Sequence, residues 1–594
     1  MNLFAPFNSD GYKLGHAAMY AVGTESVYSN LTPRSDRIYK RNATRYYNGK
    51  MVLVGVQGAL IEIVENWDKF FKMDKGIAIA RFKLLCDNYL GVNVVSTDEL
   101  SKLHDLGFLP LEVKTLDEGT QVPMGIPVLT VTNTIAHAYW LVNFLETTIS
   151  NLTWKASTAA TIATEYRAML NAFAAKTGTP LETVAFQAHD FSARGMSGPE
   201  DAARTGFGHI AVGNLGTDSL GSVLYAQEYY GGGSFVAASV PATEHAVATS
   251  NILRIESEIA ESVYEFANEE HTQIFVNMTV AGEDPRLIAE VMFLYELMLR
   301  FPTGILSYVT DSFDFWAMIS KGLPYLKDVI LRREGNGVTP GKLVIRPDSG
   351  DPVEVICSRV IHNLGAEVLS ADDWEDSACD IGYKYVEDCD PEDEVRFLVR
   401  DAEGAILEVF GYAYREYDRS MSFEYHSVEE YKLSAEEKGA IEVLYEIFGG
   451  TETSTGHKLL NEHIGLIYGD SITTQRCLNI LERLEGQGYA SGNVVFGVGS
   501  FTYQCVTRDT FAFAVKATHT VVNGKPIAIF KDPKTDSKKK SAKGLLHVAY
   551  NDGELALLDD VRPELEAAGL LITRFKNGQF FNLTTIDEIR ERLK

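Results

Sequence analysis

Six charged or imidazole side chains stand where short apolar runs end, and a seventh lies two residues further on. They are Asp190 in VAFQAHDF, Asp218 in IAVGNLGTDS, His245 in FVAASVPATEH, Asp311 in GILSYVTDS, Arg346 with Asp348 in LVIRPDSG, and Asp470 in IGLIYGDS. One aspartate after a strand is most simply a helix N-cap or a turn former. Five at equivalent positions change the odds, because carboxylates grouped on such loops hold sugar hydroxyls or a hydrated divalent ion. VVFGVGS (494–500) adds Gly497 and Gly499 after another apolar run. Glycines there open backbone N–H groups to a phosphate. The Lys-Ser/Thr of a nucleotide-hydrolysing loop does not follow them. Basic residues are scarce and so informative: Arg508 and Lys516 flank TRDTFAFAVK, and FKDPKTDSKKKSAKG (530–544) carries six lysines. That tract reads either as a solvated loop or as flexible point charges that clamp a polyphosphate. Tyr12 lies in NSDGYKLGH and Phe191 follows His189-Asp190. Aromatics so placed usually pack into a core, but a flat heteroaromatic ligand would use their faces.

These residues need a scaffold that gathers loops on one face. Helical periodicity is clearest over 157–178, 285–301 and 473–488, with apolar residues three and four apart. Seven strand–loop units alternate with such helices. The pattern predicts an α/β fold, an irregular (β/α) barrel of mostly parallel strands with its reactive groups on the loops after the strands. The flanks are turn-rich, and Asn523-Gly524 in ATHTVVNGKPIAIFKDP reads as a hairpin turn. The expected division is 1–150 and 505–594 as the two parts of a β-rich domain, with 151–504 as the catalytic barrel.

A chain of 594 residues has room for such a barrel and attachments. Its net charge of −27 excludes a general nucleic-acid surface. No run is long and apolar enough for a membrane span, and the first residues lack a secretory pattern. Six scattered cysteines without a C-x-x-C pair fit reduced thiols in a cytoplasmic protein. The charge is uneven: 366–446 holds 24 Asp/Glu against 7 Lys/Arg. Interleaved Val, Leu, Ile, Phe and Tyr leave two readings of this insert open, a folded β-rich unit or a solvated acidic loop.

Taken together, SDGYKLGH, TPR, HDFSARG, GTDS, SVPATEH, TDSFD, IRPDSG, YGDS, FGVGS, TRD and FKDP resemble the nicotinamide phosphoribosyltransferases of the type II phosphoribosyltransferase group, in family order. The resemblance implies transfer of phosphoribose from phosphoribosyl pyrophosphate to nicotinamide in NAD salvage. It implies a nicotinamide ring between Phe191 and a partner subunit's Tyr12, in a homodimer with shared sites. Asp218 would hold the carboxamide, with Ser239, Ser307 and Arg346 along the tunnel. Asp348 and Gly469, with Asp470, would hold the ribose; Gly499 and Ser500 would hold the 5′-phosphate. Arg34, Arg194, Arg508, Lys516, Lys531 and Lys539 would surround the pyrophosphate. His245 matches a histidine phosphorylated by ATP, which stimulates without being strictly required, and Asp311 is its acidic neighbour. With Asp348 these form the expected catalytic set, and Asp311 and Asp348 would hold Mg²⁺ through water. Nicotinate phosphoribosyltransferase and a catalytically silent phosphoribosyl-ligand sensor are the alternatives. Two departures stand out. Ser500 replaces a family glycine, and the acidic insert lengthens the connection from Pro352 to Gly469 without a family counterpart.

Overall fold

Asn523 and Gly524 both have positive φ, 48° and 72°, and close a two-residue hairpin between Ala514–Val522 and Lys525–Ala528. Only a turn of this hand matches strand twist, which is why Asn-Gly marks it. The computed structural model describes residues 4–231, 233, 235–363, 371–386, 389–401, 404–417, 419–469, 471–531 and 542–594. The chain divides into two compact units. One holds the chain up to Val240 with Tyr468–Leu481 and Ala490–Lys594; the other holds Pro241–Ile467 and Glu482–Tyr489.

The first unit contains a seven-stranded antiparallel sheet. Its order is Lys525–Ala528, Ala514–Val522, Thr24–Thr32, Leu129–Asn133, Leu111–Thr115, Ile572–Lys576 and Gln579–Phe580. Three strands from the first part of the chain thus lie between two pairs from its last part in one sheet, the β-rich part expected from the flanks. Val27, Leu31, Val131, Val515 and Phe575 are buried in one cluster with Trp67 and Phe70 of the helix Val56–Phe71. Each such side chain contributes roughly 1.5–3 kcal/mol by burial. The helix Glu146–Thr177 starts eleven residues before its clearest periodicity and ends at Gly178, with φ 71°. Its alanines admit the helix Pro199–Ala211 so closely that a Cβ on Gly208 would lie 2.4 Å from the Ala156 carbonyl. Three parallel strands follow the order Gly216–Thr217, Ala188–Asp190, Val494–Val498.

The second unit carries the parallel strands Ile464–Tyr468, Lys342–Arg346 and Ile305–Val309 in that order. Helices between successive strands complete the α/β pattern. The expected strand FVAASVPATEH is a correction: it supplies only isolated bridges, Ala238 to Gly216 in the first unit and Ala242 to Ser307 in the second. Pro241 has no N–H, so the ladder breaks there.

The acidic insert is folded. Glu394–Arg400, Ile406–Arg415 and Met421–Glu430 form an antiparallel meander, with Ile361–Asn363 parallel at its edge. Val395, Phe397, Val399, Val409, Ala413 and Phe423 make its own core, and the acids take the exposed alternate positions. Its expected end at 446 is too late. The helix Ala435–Phe448 belongs with the rest of the second unit, because Glu437 pairs with Arg359 at 3.0 Å and Glu442 accepts from Ser358 at 2.7 Å. Among the described residues, no helix is long and apolar enough to cross a membrane.

Candidate active site

In the first unit, strand alternation sends His189 and Phe191 to one side of Ala188–Asp190 and Asp190 to the other. Asp190 is fully buried, taking the Ser192 N–H at 2.9 Å and the Thr217 hydroxyl at 3.1 Å. It holds strand ends together. On the opposite side the His189 and Phe191 rings stack with centroids 4.5 Å apart and planes 30° from parallel. Nε2 of His189 lies 3.0 Å from Oδ1 of Asp218. A carboxylate only accepts, so this nitrogen carries a proton. The hydroxyl of Ser239 donates to the same oxygen. Gly216 accommodates the ring, since a Cβ would stand 2.7 Å from His189 Nδ1. Phe191, Asp218 and Ser239 therefore lie together around His189, which stands behind the carboxylate.

Gly499 is extended and precedes the helical turn Ser500–Gln504. A Cβ on Gly195 would lie 2.3 Å from Cβ and Oγ of Ser500, so the Ser500 side chain fills space that Gly195 leaves. Gly497 is a packing glycine: its Cβ would meet the Tyr468 carbonyl at 2.4 Å. Gly469 is half-buried, and Asp470 lies outside the described residues.

Of the basic residues, Arg34 donates Nε to the Ala512 carbonyl at 2.9 Å and its backbone N–H to Phe511 at 3.0 Å. The same turn carries Arg508, whose carbonyl accepts from Phe513 at 3.1 Å. Arg508 is exposed and pairs with Asp509 at 2.9 Å. Lys516 sits opposite Asn30 in the adjoining strand pair, 3.8 Å from Glu146. Arg34, Arg508 and Lys516 thus border one pair of strands. Arg194 is exposed on the turn Ala193–Gly195, Lys531 is exposed, and Lys539 lies outside the described residues. Tyr12, on the helical segment Gly11–Ala18, is 64% exposed, while its neighbour Lys13 is buried against Glu146 at 2.6 Å.

The second unit builds a different constellation. His245 opens the helix His245–Ala260, and its Nε2 lies 3.0 Å from Oδ1 of Asp311. Oδ2 of Asp311 accepts the Asp348 N–H at 2.9 Å and the Ser349 hydroxyl at 2.7 Å. Burial pushes this carboxyl up, but the donors from Ser349, Asp348 and His245 prevail and hold it below the usual carboxylate range. Arg346 ends its strand with one guanidinium N–H on the Thr243 carbonyl at 2.9 Å. Its Nε is buried without a partner among the described residues, a donor suited to a ligand acceptor. Ser307 is buried, with its backbone paired to Pro241 and Thr243.

Among the described residues, no group of three His, Cys, Asp or Glu could hold a metal ion. Asp311 spends both oxygens inside the protein. Asp348 is exposed, and of the two expected carboxylates it is the one suited to a hydrated ion reached through water.

His189, Ser349 and Thr243 were missed as parts of these constellations. For His189 the signal was present, since a residue two before Phe191 shares its face of a strand. Ser349 and Thr243 act through contacts that no local pattern encodes.

The sequence model of the nicotinate phosphoribosyltransferase (NAPRTase) family matches residues 186–391 and 411–577. The chain is 40% identical over 592 residues to a protein from Acinetobacter baylyi named nicotinamide phosphoribosyltransferase, covering 99% of this chain and 97% of that one. A protein of the same name from Mycoplasma pneumoniae is 27% identical over 548 residues, 90% of this chain and 93% of the other. The crystal structure of human nicotinic acid phosphoribosyltransferase superposes with a TM-score of 0.51 at 14% identity, covering 98% of this chain and 92% of that chain. This last likeness concerns the fold. The two matches also correct one expectation. The family match takes in most of the acidic insert, and the Acinetobacter alignment runs the length of the chain, so the insert is not without counterpart.

Proposed function

Because the chain belongs to the nicotinate phosphoribosyltransferase family, we propose that it transfers the 5-phosphoribosyl group of phosphoribosyl pyrophosphate to nicotinamide, yielding nicotinamide mononucleotide and pyrophosphate in NAD salvage. The observation that carries the choice of substrate is the Asp218 carboxylate, held by His189 and Ser239 beside the Phe191 ring. A carboxylate accepts a hydrogen bond from the amide NH₂ of nicotinamide and repels the carboxylate of nicotinate. The names of the bacterial relatives agree with that choice.

The pyridine nitrogen is a weak nucleophile, so much of the barrier lies in breaking the bond between C1′ and pyrophosphate. Phe191 on one face, and the partner subunit's Tyr12 on the other, hold the ring in line for attack. Positive charge grows on the ribose, which Asp348 tolerates. Negative charge grows on the departing pyrophosphate, which Arg34, Arg194, Arg508, Lys516, Lys531 and Lys539 receive. Asp348 would hold a hydrated Mg²⁺ through water, and such an ion would supply further positive charge to the leaving group. Gly499 and Ser500 offer backbone N–H groups to the 5′-phosphate.

His245 gives ATP a route of entry. With Nε2–H on Asp311, the neutral ring keeps its lone pair on Nδ1. Nδ1 attacks the terminal phosphorus of ATP, the bond to ADP breaks, and the Asp311 carboxylate stabilises the cationic ring. Transfer to nicotinamide persists without ATP and is stimulated by it. The exposed Tyr12 supports a homodimer with shared sites, and six free cysteines support a cytoplasmic location. The test is product formation from nicotinamide and phosphoribosyl pyrophosphate with Mg²⁺. Nicotinamide mononucleotide and pyrophosphate should appear in equal amounts; a chain that binds phosphoribosyl pyrophosphate without turnover would instead be a sensor.

A further inference from the structure

Two features of the amide-reading cluster are unexplained by a lone selecting carboxylate. The acceptor oxygen is shared by an imidazole and a hydroxyl, and the facing wall is cut back to Gly216, where a Cβ would lie 2.7 Å from the His189 ring. The space is shaped for this imidazole, which presents an N–H to the carboxylate and a flat face to Phe191.

We propose that His189 is a specificity-determining positioning residue, whose Nε2–H on Asp218 sets the direction in which the carboxylate reads the pyridine substituent. This rests on the nicotinamide reading above. With the donor in place the carboxylate is fixed where it accepts from an amide NH₂; without it the carboxylate turns and the amide is read less well.

The groups facing His189 within its own unit are few. Asp218 lies in front of it, and Asp190 sits on the far side of its own strand. From the helix Pro199–Ala211, His209 places Nε2 3.2 Å from the Ala188 carbonyl and Nδ1 2.7 Å from the Tyr503 hydroxyl. Burial pushes the His209 imidazole below its ordinary value, with Asp190 opposing and His189 adding to the shift. Phe191 is uncharged and blocks one ring face.

The test is calorimetric binding of nicotinamide and of nicotinate to the full chain at one pH, for wild type and two variants. His189→Gln keeps a donor at the Nε2 position, so its nicotinamide affinity and its preference for nicotinamide should stay within about twofold of wild type. His189→Phe keeps the ring stack and loses the donor, so nicotinamide affinity should fall about tenfold. An unchanged affinity in His189→Phe, or the same loss in His189→Gln, would overturn the proposal. Failure to turn nicotinamide over would count against the enzymatic reading alone, because the ratio of affinities decides the role of His189 separately.

Discussion

Two histidine–aspartate pairs, one in each unit, share the same contact and opposite exposures. His189 meets Asp218 and His245 meets Asp311, both at 3.0 Å. In the first pair the imidazole is 11% exposed and the carboxylate 42%; in the second the imidazole is 46% exposed and the carboxylate 5%. Whichever partner faces solvent is the one that can meet a ligand, and the buried partner supports it. The first pair thus offers a carboxylate to an amide, and the second offers an imidazole to a phosphoryl group. The same two residue types do opposite jobs because burial is reversed.

The largest expected effect breaks the second pair. His245→Ala should abolish acid-labile labelling by ATP, whereas Asp311→Asn should slow it by on the order of 10²-fold or more, because an amide cannot stabilise the cationic ring. Equal labelling of both variants and wild type would place the phosphate elsewhere.

A second carboxylate in the same unit shows what deeper burial with fewer donors does. Glu290 is fully buried where Asp311 as a whole residue is half-buried, and among the described residues it receives a single side-chain hydrogen bond, from Tyr308 at 3.2 Å. Burial, with Asp311 and Asp314 adding to it, raises its carboxyl to about 8. The folded state then keeps a proton that the unfolded chain releases above its ordinary 4.5. Stability is fully present below that value and is lost as pH rises towards 8. Glu290→Gln removes this loss. Its melting temperature should match wild type near pH 5 and exceed it by about 2–4 °C at pH 8. No pH-dependent difference would mean that Glu290 ionises freely.

The smallest effect concerns the acidic insert, whose own core sets it apart from both pairs. Replacing residues 364–431 by a short linker, which spares the helix Ala435–Phe448, should leave kcat/KM within about threefold, since the insert packs on its own core and contributes none of the expected site residues. A large loss of turnover in a still-folded protein would mean that the insert shapes the site.

Much of this was legible in the sequence, for reasons that differ by residue. Asp218, Asp311 and Arg346 could be read because each ends a short apolar run, and Asn523-Gly524 because its turn demands left-handed backbone. The strand through FVAASVPATEH was misread because apolar composition hides the missing N–H of Pro241. His189 is legible only through strand alternation, which puts it on the same face as Phe191. The direction of each pair was illegible, since exposure depends on packing from residues far away in the chain.

The central claim is that the exposed Asp218 carboxylate selects an amide. Two like charges about 4 Å apart at an effective dielectric near 20 repel by roughly 4 kcal/mol, and half of that is more than tenfold in rate. The direct measurement is competition of equal nicotinamide and nicotinate for phosphoribosyl pyrophosphate in one vessel, for wild type and Asp218→Asn. Wild type should yield nicotinamide mononucleotide in more than about tenfold excess, and Asp218→Asn should shift that ratio towards the acid product by a similar factor. Equal products from wild type, or an unchanged ratio in Asp218→Asn, would contradict it.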